Sequence, residues 1–242
     1  MAEERFSDLG RVEAISRLFE GTGFTPFCRA EFTADSKSTC CQASKILLEG
    51  IDFDLTYFPL KHLGYKSVIA VTGELYAMFS HPRTLCVSLG VSAKLDFAQI
   101  AELWKGIVAA AKEHGYANLS LDLAPSKNGL CIAVSATGEV SNLTEKRRPA
   151  AKSMDLICIS DNLGAAYFGF EILEREKKSF EKTKNDAAQP DLKEYSQFIG
   201  EYLKPEISPA MVKQMEDSEI IPSFGYMVTR GLADAVKRLV RD

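Results

Sequence analysis

The stretch Leu47 to Lys66, LLEGIDFDLTYFPLKHLGYK, decides how this chain is read. Leu47 and Leu48 end a short, β-like run that starts near Ala30, in which polar and apolar residues mix around Thr39, Cys41, Ala43 and Ile46. The Glu49-Gly50 pair then turns the chain. Pro59 has a fixed φ and lacks an amide donor, which suits the first turn of a helix, so a helix is expected from Pro59 to about Phe79. Strand, turn and helix in immediate succession point to an α/β architecture.

The same reasoning extends in both directions. Upstream, Ser7 can cap a helix to about Glu20, with Leu9, Val12, Ile15, Leu18 and Phe19 at helical spacing and Gly21 and Gly23 ending it. Downstream, Thr84 to Ser92 alternates as a strand does. Asp96 caps a helix whose apolar face carries Ile100, Leu103, Trp104, Ile107, Val108 and Ala111, with Gly115 as the stop. Leu119 to Leu123 and Leu130 to Val140 read as two more strands.

TEKRRPAAK, Thr144 to Lys152, is a charged, proline-containing break, and it divides the chain into units 1–145 and 146–242. In the second unit DLICIS, Asp155 to Ser160, is expected as a buried strand, followed by a helix from Leu163 to about Lys178. The polar stretch Glu181 to Asp191 reads as a mobile loop. Helices near Leu192 to Leu203 and Pro209 to Glu216, a short strand near Phe224 to Val228, and a last helix from Gly231 complete the unit. It holds too little strand to close a sheet alone and must lean on the first unit or on a second subunit.

Composition narrows the classes of function. With 46% apolar residues over 242, the chain can bury a core, and 29 basic against 33 acidic residues leave no electrostatic footprint for nucleic acid or an anionic membrane. The start, MAEERFSDLG, lacks the apolar core of a secretory signal, and no segment is apolar enough to span a bilayer, so a cytoplasmic protein is expected. The six cysteines lie mostly in strand-like runs without zinc spacing, and adjacent Cys40 and Cys41 would face opposite sides of a strand. His62, His81 and His114 read as structural, His114 as a cation suited to the end of a helix. Trp104 belongs to a core face, and Tyr57, Phe58 and Tyr65 pack a dimer barrel or a hinge, or stack a ring ligand. The sequence contains no P-loop, no G-x-S-x-G elbow and no dinucleotide fingerprint.

Five ordered segments carry a resemblance: LLEGIDFDLTYFPLKHLGYKSVIA, ELYAMFSHP, SLGVSAKLDFAQIAEL, AVSATGEV and DLICISDNLGAAYFGFEILEREK. Together they resemble the thiamine-monophosphate kinase family, within the superfamily of aminoimidazole ribonucleotide (AIR) synthase, over roughly Leu9 to Leu232. The resemblance implies an AIR synthase-related N-terminal domain with a mixed sheet that completes a β-barrel with a second copy, hence a homodimer, followed by a truncated α/β C-terminal domain. It also implies ATP and magnesium in a cleft between the domains, held by aspartates from separate motifs. Phosphoryl transfer from ATP to thiamine monophosphate would follow there, a reaction that is largely charge management by metal ions and carboxylates.

The residues depart from that family at the sites of chemistry. The upstream glycine-led double aspartate is absent from FTPFCRAE, Phe24 to Glu31, and the aspartate expected before the Glu-Gly pair is Lys45. Glu49 and Gly50 survive, but the usual histidine after them is Asp52. The asparagine, serine and aspartate of the next metal motif correspond to Val71, Gly73 and Glu74, and the Gly-Gly-Asp-Thr motif to Ser120, Leu121, Asp122 and Leu123. A Ser-Asp-Gly motif becomes Thr229, Arg230 and Gly231, an earlier aspartate is Met227, and the chain is shorter than a full kinase of the family at its C-terminal end. Arg148 and Lys152 match a basic motif and could still meet an anion.

Magnesium takes oxygen ligands in near-octahedral array, and Lys45 both removes one and repels the ion. The expectation is a protein that has lost the kinase reaction and needs no cofactor, serving a binding, scaffold or regulatory role. An active kinase holding magnesium on Glu74, Asp122 and Glu49, with ATP as cofactor, is the first alternative, and a nucleotide or anion sensor using Arg148 and Lys152 is the second. A specific corollary places the Lys45 ammonium in the metal's position, paired with Glu74 and Asp122; its rival has Lys45 facing solvent at a strand edge.

Overall fold

The structure is a computed structural model that describes residues 9–26, 38–183 and 192–240. Ser7, Cys28, the part of FTPFCRAE that follows Pro26, the run from Ala30 to Lys37 and most of the polar stretch 181–191 lie outside them. The elements run α1 (Arg11–Phe19), β1 (Thr39–Leu48), α2 (Leu60–Ala77), β2 (His81–Ser92), α3 (Phe97–Glu113), β3 (Asn118–Ser126) and β4 (Cys131–Val140). There follow α4 (Asn142–Arg147), α5 (Ala165–Thr183), a 3-10 turn (Lys193–Tyr195), α6 (Ser196–Leu203), α7 (Met211–Asp217) and α8 (Leu232–Leu239).

A four-stranded mixed sheet in the order β1-β4-β2-β3 organises the first unit. β4 is antiparallel to both β1 and β2, whereas β2 and β3 are parallel because α3 carries the chain across between them. Period-two alternation turns Leu85, Val87 and Leu89 of β2, Leu119, Leu121 and Leu123 of β3, and Ile132, Val134 and Ala136 of β4 toward the helices, and all are buried. The opposite face presents Gln42, Ser44, Ile46, Cys86, Ser88 and Asp122 to solvent. Among the described residues β1 and β3 are the two edges, so the sheet they form is open and not a closed barrel.

α2 and α3 cover the inner face and approach each other at two glycines. A Cβ on Gly64 would lie 2.0 Å from the Leu103 carbonyl oxygen, and one on Gly106 would lie 1.9 Å from that of Lys61, so the backbones touch reciprocally. Asp96 starts α3 with a complete capping box, accepting from the Gln99 amide while Gln99 accepts from that of Asp96. Trp104 meets Phe19 of α1 at a ring separation of 5.1 Å in the same core. His114 follows α3, yet it is buried against Tyr76, and burial lowers its pKa, so it stays neutral near neutral pH and adds no cation to the helix end.

The second unit is helical among the described residues. α5 and α6 pack through Phe170 and Tyr202 and through Phe168 and Phe198, while α7 inserts Val212 against Tyr76 and Phe79 of the first unit. Three sequence expectations are overturned here. The charged break begins with a helix, α4, because Ser141 caps it by accepting from the Thr144 amide. DLICIS lies outside any strand, with Leu156 90% and Ile157 63% exposed, because no strand is described beyond residue 140 to give it a ladder. Residues 224–228 likewise form no strand.

Candidate functional site

The turn after β1 is built from its own polar groups. Gly50, at φ +80°, donates its amide to the Phe53 carbonyl at 2.8 Å. The Asp52 carboxylate accepts from the Leu48 amide at 2.8 Å, and the Asp52 amide donates to the Leu48 carbonyl at 2.9 Å. Glu49 reaches across to the residue just before β4, where its Oε2 accepts from the Leu130 amide at 2.6 Å. A Cβ on neighbouring Gly129 would sit 2.7 Å from that oxygen, so glycine is what lets the carboxylate lie against the chain there. Both acids of the turn therefore serve backbone amides.

Lys45 and Asp122 stand at opposite edges of the sheet and on opposite faces. Lys45 pairs with Val134 and shares the inner face of β1 with Ala43 and Leu47, whereas Asp122 is on the exposed face of β3. Two strands intervene, a separation of about 14 Å at ordinary strand spacing. Asp122 instead accepts from Arg11 of α1 at 2.5 Å, an exposed pair. The expected Lys45–Asp122 pair is thus excluded, and among the described residues no ion pair joins Lys45 to Glu74. Glu74 is half-buried on α2 beside Gly73.

Gly73 meets Met227. A Cβ at Gly73 would fall 2.2 Å from the Met227 sulfur, so the thioether occupies the space a side chain would take. The structure thereby joins two positions that the sequence comparison with the kinase family treats separately, one from the VTGEL motif and one from the second unit. Among the described residues, no three of His, Cys, Asp and Glu are grouped to hold a metal ion.

Arg148 and Lys152 diverge. Arg148 turns inward, donating Nη2 to the Met78 carbonyl at 2.9 Å and lying 3.5 Å from Glu145, while Lys152 is exposed. A guanidinium at the carbonyl end of α2 is suited to that helix's dipole rather than to a free anion.

Sequence reasoning missed a polar seam between the two units. Lys66 of α2 is largely buried under Tyr202 and Phe58, and burial lowers its pKa to about 8, against a smaller upward pull from Asp52. Tyr57 donates its hydroxyl to Glu174 at 2.8 Å, and burial together with that carboxylate raises the phenol well above its usual range. Asp54 pairs with Lys177 at 2.5 Å; burial pushes its carboxyl upward, but Lys177 and Thr56 outweigh this and hold it below the usual value. Tyr57 and Phe58 accordingly serve the junction with α5 and α6. The signal available beforehand was a lone cation, Lys66, inside the apolar run LGYKSVIAV.

A family model described as AIR synthase related protein, N-terminal domain, matches residues 30–140. Thiamine-monophosphate kinase of Bacillus subtilis is 25% identical over 130 residues, covering 54% of this chain and 40% of that protein. The same enzyme of Synechococcus elongatus is 22% identical over 253 residues, covering 100% of this chain and 72% of its own length. Residues 30–140 thus match an AIR synthase-related N-terminal domain, and the chain as a whole is similar to thiamine-monophosphate kinases. Among solved structures, thiamine monophosphate kinase from Aquifex aeolicus aligns with a TM-score of 0.59 at 20% identity, over 88% of this chain and 65% of that one. AaThiL complexed with AMPPCP and TMP aligns with a TM-score of 0.61 at 18% identity, over 89% and 65%. These structures share the mixed α+β fold. This chain spans less than half of the Bacillus enzyme and about two thirds of the Aquifex chain. No helix among its described residues is long and apolar enough to cross a membrane.

Proposed function

We propose that this chain is a member of the thiamine-monophosphate kinase family that does not transfer phosphate and works as a binding, scaffold or regulatory protein. What supports this reading is the engagement of three of the four acids at the family's motif positions: Glu49 and Asp52 accept from backbone amides, and Asp122 accepts from Arg11, while Glu74 alone is outside such a contact among the described residues. A magnesium ion needs several oxygens directed at one point, and these carboxylates are directed at the chain itself. The donor set therefore does not fit magnesium, and no step through the ion is derived. Incubation with ATP, thiamine monophosphate and magnesium is expected to release no phosphate and form no thiamine diphosphate above the spontaneous rate. Turnover at a kinase-like rate would overturn the reading.

The same proposal includes a homodimer through the first unit. Its support is the open sheet, whose outer face carries small residues such as Ser44, Ser88 and Ser135 around an Ile46 that is 55% exposed. Small side chains allow a second sheet to approach closely. Sedimentation equilibrium is expected to give twice the chain mass, and a stable monomer at micromolar concentration would refute the pairing. A second reading, an active kinase, draws on Glu74, a half-buried carboxylate outside any ion pair among the described residues. That reading requires magnesium-dependent heat on calorimetric titration with ATP, abolished in Glu74→Gln.

A further inference from the structure

The chain between α7 and α8 runs without helix or strand, and both of its ends lie in the left-handed region, Glu219 at φ +57° and Gly231 at φ +89°. It crosses α2 at two points. At the first, a Cβ on Gly225 would lie 2.3 Å from the Ala77 carbonyl oxygen, so backbone rests directly on the helix. At the second, the Met227 sulfur fills the notch left by Gly73, with Cε of the same side chain 2.9 Å from where a Cβ would be.

What holds this crossing is side-chain insertion. Met227 packs against the main core and Ile221 against Tyr76, Phe79 and Val212, whereas Phe224, Thr229 and Arg230 are exposed. Tyr226 makes a further interaction, and for the other described residues of 221–230 no backbone-to-backbone hydrogen bond to α2 is found. Segments with few buried contacts and no ladder or helix hydrogen bonds open at lower free energy than the core they cover. A methionine suits such a contact, since its unbranched thioether fills an irregular notch and leaves it without breaking a polar interaction.

We infer that residues 221–230 form a displaceable strap, latched on α2 by Met227 in the Gly73 notch and hinged at Glu219 and Gly231. When the strap lifts, the notch and the α2 surface beside Glu74 open to solvent. In naming this surface as the former metal side of the family the inference rests on the reading above; the latch itself rests on the contacts. The strap is then a self-inserted occupant, and anything that binds the notch must first expel Met227.

Limited chymotrypsin digestion of the full chain tests this, since cleavage after Phe224 or Tyr226 needs the strap backbone lifted off α2. Met227→Ala withdraws the latch, and Gly73→Ala fills the notch from the other side. Each is expected to speed cleavage at these two sites at least tenfold while cleavage within α3 and β2 keeps its wild-type rate. The double variant should be cut no faster than either single one, since both remove the same contact. Wild-type cleavage after Phe224 and Tyr226 in Met227→Ala, or faster cleavage that spreads into α3, would overturn the strap. If Gly73→Ala does not fold, Met227→Ala adds no atoms and still decides the matter. The kinase assay separates the two readings: turnover appearing in Met227→Ala would support the strap and overturn lost catalysis, while an unlatched strap without turnover supports both.

Discussion

The Lys66 ammonium lies 3.7 Å from the centroid of the Tyr202 ring and donates to the Tyr202 carbonyl oxygen at 2.7 Å, so a cation of α2 is roofed by α6. Because burial lowers its pKa to about 8, the folded chain releases this proton while the unfolded chain, with an ordinary lysine near 10.5, still holds it. The unfolded state thus binds more protons between those values, and stability rises with pH across that window. Urea midpoints taken at pH 7 and pH 9 are expected to show a gain of about 1 kcal/mol at the higher pH, a value the ring faces reduce by favouring the cation. Lys66→Met should abolish the increment. A wild-type midpoint that falls over this range would show that the ammonium is not desolvated.

Much of the first unit was legible because its signals are local. The Asp96 cap, the helical face of Trp104 and the alternation of Leu85, Val87 and Leu89 all depend on spacing along the chain, and each is found where spacing puts it. Strand order is not local. Nothing in the spacing of Lys45 and Asp122 reveals that β1 and β3 end at opposite edges, so a pair drawn from alignment alone failed. DLICIS shows the complementary error: an apolar run reports a wish for burial, and burial needs neighbours that the described second unit does not supply. Arg148 could not be assigned either, as its acceptor, the Met78 carbonyl, is distant in sequence.

Glu49 offers a test that distinguishes a structural carboxylate from a metal ligand. Its oxygen accepts from the Leu130 amide, and the amide side chain of glutamine retains such an acceptor. Glu49→Gln is expected to change stability by less than about 1 kcal/mol, whereas Glu49→Ala leaves a part-buried donor unpaired and costs about 1–3 kcal/mol. Chemical denaturation of both variants checks this. An equal loss in the two would mean that the charge, rather than the acceptor, holds the turn.

The reciprocal contact of Gly64 and Gly106 makes a sharper demand on size. A methyl group at Gly106 would overlap the Lys61 carbonyl, which is helix backbone and cannot swing aside. Gly106→Ala must push α2 and α3 apart through a core that includes Ile107 and Leu103, both fully buried. The expected loss is about 3 kcal/mol, at the upper end of overpacking, despite the better helix propensity of alanine. Thermal unfolding should show a fall of several degrees. A rise would mean that the helices are not in contact at this point.

α2 and α7 end in the same backbone device with unlike residues at its strained position. In α7 the Ile220 amide donates to the Met215 carbonyl at 2.8 Å and the Glu219 amide to that of Glu216 at 3.0 Å, with Glu219 left-handed. In α2 the Ser80 amide donates to Leu75 and the Phe79 amide to Tyr76, with Phe79 left-handed at φ +60°. This is the Schellman pattern, in which glycine is the usual occupant of the left-handed position. The Glu219 side chain contributes only an exposed pair with Arg147, so Glu219→Gly is expected to stabilise by about 1 kcal/mol. Phe79, by contrast, is 3% exposed and packs with Tyr76 and Val212, so Phe79→Gly relieves the same strain but empties that contact and should destabilise by about 3 kcal/mol. Urea unfolding of the two variants should therefore move in opposite directions. A loss in Glu219→Gly would mean that the Arg147 pair outweighs the backbone strain.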